Sequence, residues 1–98
     1  MNSQEAVAIL IRHRDDLQAR GVRHAALFGS VARGEARSDS DVDIMIELDP
    51  NAAIDIFAYV GLRRYIAQLF INPVDVVARE ALKPHVRPWA ERDAIHVF

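Results

Sequence analysis

A glycine-serine turn and two aspartates spaced i, i+2 share one short segment, Gly29–Ile44, which reads Gly-Ser-Val-Ala-Arg-Gly-Glu-Ala-Arg-Ser-Asp-Ser-Asp-Val-Asp-Ile. Gly29 lets backbone approach a phosphate closely, and Ser30 adds an N–H and a hydroxyl at the start of a helical turn. Free N–H groups in that position bind phosphate oxygens. Arg33 lies one turn further on, within reach of a triphosphate oxygen. Asp41 and Asp43 fall on one face of an extended strand, while Val42, Ile44 and Ile46 fall on the other. Two such carboxylates repel each other unless a cation lies between them. Their hard oxygens suit Mg²⁺, which keeps several waters and takes further oxygens from substrate phosphates. A phosphate cradle beside a divalent-metal site predicts transfer of a nucleotidyl group. Either half alone reads as an ordinary turn or a solvated strand face, so the conjunction carries the inference.

A hydroxyl nucleophile must also lose its proton near the metal. Asp75 stands in Pro73-Val74-Asp75-Val76-Val77, an otherwise apolar run where an acid is costly unless paired or ligating. If that strand neighbours the aspartate-bearing one, Asp75 joins Asp41 and Asp43 as general base, metal ligand or both. The alternative is an edge-strand acid facing water. Glu47 and Asp49 read as surface acids at the strand's end.

The elements that must position these groups follow from apolar periodicity and turn residues. A first helix is predicted from Asn2 or Ser3 to Gly21, with Val7, Leu10, Ile11 and Leu17 as its apolar stripe. Residues 24–28 form a strand running into Gly29, 30–33 one helical turn, and 34–40 a polar loop. Residues 41–48 form the second strand, closed by the turn signal Asp49-Pro50-Asn51. A long helix is predicted over 54–70, with Phe57, Val60, Ile66 and Leu69 as its apolar positions, ended by Asn72-Pro73. A third strand covers 74–78, a turn and short helix 79–92, and a last edge strand 95–98. Strands separated by helices predict an α+β (α/β two-layer) fold with a small mixed sheet flanked by helices.

Ninety-eight residues suffice for one domain, 1–98, and 51% apolar residues supply a real core. The net charge of −2 lacks the basic excess of a duplex binder, which disfavours direct nucleic-acid binding. There is no cysteine, which excludes disulfides and thiolate metal sites. The N-terminus has no signal-peptide pattern and no apolar run approaches membrane-spanning length, so a soluble, cytoplasmic protein without a membrane partner is expected.

Gly29-Ser30-x-x-Arg33-Gly34, then Ser40-Asp41-x-Asp43, then Asp75, resembles the signature of the DNA polymerase β-type nucleotidyltransferase superfamily. The small size, the Gly29–Ala36 stretch and the ending Ala94–Phe98 are similar to its stand-alone minimal nucleotidyltransferases, the MNT-domain antitoxins. The resemblance implies the polymerase β-like fold, two Mg²⁺ ions and ATP as nucleotide donor. Carried over position by position, Gly29 and Ser30 match the phosphate turn, with Arg33 and Ser40 beside them. Asp41 and Asp43 match the metal pair, and Asp75 the third carboxylate. It also implies a partner, a HEPN-domain ribonuclease toxin that receives AMP on a tyrosine and is thereby blocked. A chain this short has no room for an acceptor-gripping domain, so a second molecule must present the hydroxyl. Two other readings stand beside this one: a non-catalytic module that blocks its partner by contact, and transfer to a small-molecule or RNA hydroxyl.

The remaining residues point to structural roles. His13, His24, His85 and His96 show no ligand spacing. Trp89, with Val86, Ile95 and Phe98, reads as core or partner contact. Tyr59 and Tyr65 read as helix packing, and Arg63, Arg64 and Arg79 as a solvated basic rim.

Overall fold

The computed structural model describes residues 1–98 and holds a four-stranded mixed sheet with five α-helices. The strands are β1 (Val22–Phe28), β2 (Val42–Leu48), β3 (Val74–Ala78) and β4 (Ile95–His96), in spatial order β3-β2-β1-β4. β1 runs antiparallel to both β2 and β4, and β2 runs parallel to β3. The parallel pair requires a crossover. Helix α4 (Ile56–Gln68) supplies it.

Strand alternation divides the sheet into two unlike faces. Ala25 and Leu27 of β1, Val42, Ile44 and Ile46 of β2, and Val76 of β3 face one side, where the core lies. There they meet Ala6 and Leu10 of α1 (Ser3–Arg12), Leu17 of α2 (Arg14–Ala19), and Leu62, Ile66 and Phe70 of the α4 region. The other face carries Phe28, Ala26 and His24 of β1 in register with Asp43, Met45 and Glu47 of β2. Ala26 and Met45 are buried yet stand outside the core cluster. Arg79 of the 3₁₀ turn Arg79–Ala81 and Glu91 of α5 (Arg87–Arg92) line a cavity on this side.

The helix starts agree with the sequence expectation. Asn2 caps α1, its Oδ1 accepting from the Glu5 N–H at 2.8 Å, and Asp55 caps α4 through the Ala58 N–H at 2.8 Å. The single first helix does not hold. His13 interrupts it between α1 and α2, and its ring lies 2.9 Å from the Ile9 carbonyl. Leu10 and Leu17 reach the core on either side of the break, while Ile11 stays half exposed. The stripe expected for α4 holds at Ile66 and Leu69 and fails at Phe57 and Val60. Phe57 is 84% exposed, and the buried positions are Leu62 and Ile66, with Tyr59, Tyr65 and Leu69 packed against them. Trp89 is 70% exposed and contributes nothing to the core; Arg92 stacks over its ring. No helix is long and apolar enough to cross a membrane.

Candidate active site

β1 ends at Phe28, and the chain turns at once into α3 (Gly29–Arg33). The turn depends on Gly29, whose φ of +73° lies in the left-handed region that other residues avoid. A side chain here is excluded for a second reason. A Cβ on Gly29 would run into the Asp43 carboxylate, 3.0 Å from Cγ and 3.3 Å from Cβ. The phosphate turn therefore lies directly against the first strand position of the aspartate pair. Val31 is fully buried and fixes α3 against the sheet. The first N–H groups of the helix, at Gly29 and Ser30, have no partner within it.

The parallel register sets Asp43 beside Asp75. Asp41 precedes β2 by one residue and is exposed, as is Asp75, while Asp43 is half-buried. Desolvation, followed by the charges of Asp75 and then Asp41, holds the Asp43 carboxyl above its ordinary range, and Arg33 pulls it partly back. That ordering places three acids and one cation within electrostatic reach of one another. The Asp43–Asp75 pairing on which the sequence argument was conditional is thus present.

Arg33 and Ser40 have local partners. Arg33 Nε donates to Glu35 at 3.1 Å, an exposed pair that a substrate phosphate can displace at little cost. Ser40 Oγ accepts from the Arg37 N–H at 2.8 Å and so shapes the loop that delivers Asp41. Sequence reasoning passed over Asn72, which it used only as a helix stop. Its side-chain amide donates to the carbonyls of Ser38 and Ser40, at 2.8 and 3.2 Å, tying the aspartate loop to the entrance of β3.

The acids fit a divalent cation by their chemistry. Asp43 and Asp75 stand at paired register positions and present hard carboxylate oxygens, the donor type that Mg²⁺ takes. No three of the protein's His, Asp or Glu side chains converge as a complete ligand set. This suits Mg²⁺, which takes one or two carboxylates and fills its shell from substrate phosphates and water.

The nucleotidyltransferase domain model matches residues 10–96. Protein adenylyltransferase MntA of Thermococcus cleftensis is 34% identical over 95 residues, spanning 96% of this chain and 94% of that protein. The chain belongs to the nucleotidyltransferase domain family. A solved structure assigned as a minimal nucleotidyltransferase superposes on this nucleotidyltransferase with a TM-score of 0.69 at 29% identity, covering 97% of this chain and 95% of that one. A toxin–antitoxin crystallised with AMP-PNP gives a TM-score of 0.72 at 20% identity over 94% of this chain and 72% of that one, a likeness of fold.

A cavity of about 640 Å³ on this nucleotidyltransferase is not centred on the aspartates. It begins at Met45, two positions along β2 from Asp43, and extends over the open face toward Glu47.

Proposed function

We propose that this nucleotidyltransferase transfers AMP from ATP to a hydroxyl, a tyrosine by resemblance, of a partner HEPN-domain ribonuclease toxin in the cytoplasm, and neutralises it. One observation carries the reading: Asp43 packs against Gly29 of the turn and stands in register with Asp75. The similarity to a protein adenylyltransferase and the fold shared with a toxin–antitoxin structure support the acceptor class.

Gly29, Ser30 and Arg33 hold the leaving end of the triphosphate. Asp41 and Asp43, with Asp75, would hold Mg²⁺, two ions by the family resemblance. Held there, the metal would supply charge neutralisation at the phosphates and ease deprotonation of the acceptor. Asp75 takes the acceptor proton. The acceptor oxygen bonds to the α-phosphorus as the bond to the bridging oxygen breaks, and that electron pair leaves on pyrophosphate.

The test is to incubate the chain with ATP, Mg²⁺ and the protein encoded beside it, with Asp43→Ala in parallel, and to weigh both proteins intact. Added AMP on the neighbour that disappears with the variant supports the reading. A tight complex with no added AMP replaces it with neutralisation by contact alone.

A further inference from the structure

The open-face cavity joins residues that read as unrelated surface positions in the sequence. Its floor is Ala26 and Met45, paired across β1 and β2. One wall is an ion pair, Arg79 Nε to Glu91 Oε1 at 2.6 Å, which links the end of β3 to α5. Glu47 lies opposite His24 in the β1–β2 register and adds its charge to the field at Arg79. His96 closes the side at β4, beside Ala26. Arg79 balances only one of the two glutamates, so the cavity is acidic when its histidines are neutral.

Its position relative to the aspartates matters more than its size. In an in-line displacement the entering and leaving oxygens lie on opposite sides of the phosphorus. With the pyrophosphate at Gly29–Ser30, beyond the end of β1, and the phosphorus beside Asp43, the attacking hydroxyl arrives from the body of the sheet. That is the direction of Met45 and then Glu47. Four residue steps of strand lead from Asp43 to Glu47, roughly 13 Å of extended chain.

We infer that this cavity is the acceptor groove: it binds an extended, basic segment of the partner protein and delivers the segment's hydroxyl to Asp75. The inference rests on the adenylyl-transfer reading above and adds where and how the acceptor is gripped. The acidic lining accepts lysine or arginine on the acceptor segment and repels RNA phosphates. An aromatic sandwich for a nucleobase is missing from the lining, which contains no Phe, Tyr or Trp.

The experiment measures AMP transfer to the neighbouring-gene protein while acceptor and ATP concentrations are varied separately. Wild type is compared with Ala26→Leu, which fills the floor, and Glu47→Lys, which reverses the charge without altering the floor. Circular dichroism confirms that each variant is folded. The expected result is a KM for the acceptor raised about tenfold or more, with the KM for ATP within about twofold of wild type. A raised KM for ATP instead would assign the cavity to the nucleotide and overturn the inference. Unchanged constants in both folded variants overturn it as well, leaving adenylyl transfer itself intact. Absence of transfer by the wild type removes the underlying reading and the groove with it.

Discussion

Gly29 and Asp43 are packed so closely that the backbone of one occupies the space in which a side chain would displace the carboxylate of the other. Position 29 thus meets two demands at once, a left-handed backbone and an empty Cβ site. Gly29→Ala should cost about 1–3 kcal/mol in stability through backbone strain. The same change should lower AMP transfer on the order of 100-fold, because Asp43 moves from its place. Urea unfolding and intact-mass transfer rates check the two effects separately; full activity in the variant would break the link between turn and carboxylate.

Asp43 should behave as a residue kept for chemistry at a cost to folding. Its folded pKa is raised, chiefly by desolvation and then by Asp75 and Asp41. The penalty is absent below the ordinary carboxylate range, sets in as pH rises from the ordinary to the raised value, and is complete at neutral pH. Asp43→Asn should therefore raise Tm at pH 7 by about 1–4 °C, a modest amount because the group is only half-buried. The gain should vanish near pH 3, and activity should be lost at any pH. Mg²⁺ should raise the Tm of the wild type more than that of the variant, as differential scanning calorimetry would show.

Asn72 offers a test of how the aspartate loop is held. Asn72→Ala removes both donations to the Ser38 and Ser40 carbonyls. The expected cost is about 1–2 kcal/mol. The KM for ATP should rise several-fold, because the loop that delivers Asp41 loses its tie to β3. A variant with wild-type KM would show that the loop is held by the Ser40–Arg37 bonds alone.

Gly21 supplies the control. Its φ is +99°, and a Cβ there would lie 2.5 Å from Ile54 Cδ1, far from the carboxylates in the fold. Gly21→Ala should destabilise by about 1–3 kcal/mol. Transfer per folded molecule should stay unchanged, measured well below the lowered Tm. Loss of activity in the folded protein would show coupling between this turn and the site.

Much of this was legible in the chain because the elements that build the site are local. The apolar run before Gly29, the turn itself and the Asp41–Asp43 spacing lie within one continuous segment, where alternation and turn chemistry suffice. The neighbour of Asp43 was harder, since the sheet order that brings Asp75 beside it depends on the α4 crossover and not on any nearby residue. Phe57 misled because large apolar residues at helical spacing look alike whether they meet a core or water, and Trp89 left the core half of its reading unfulfilled for the same reason. The break at His13 was hidden for a related reason: the stripe through Leu10 and Leu17 continues across it. Least visible was the groove. His24, Glu47, Arg79, Glu91 and His96 come from five separate elements or their ends, and each by itself is an ordinary surface residue.

The two acids that must cooperate are secured unequally. Asp43 sits on an inner strand, hydrogen-bonded on both sides, whereas Asp75 sits on β3, five residues at the rim of the sheet with a neighbour on one side only. Rim strands open to solvent more readily than inner ones. Amide hydrogens of Val74–Ala78 should therefore exchange sooner than those of β2, and with Asp75 in its proposed role warming should end transfer before the helical core melts.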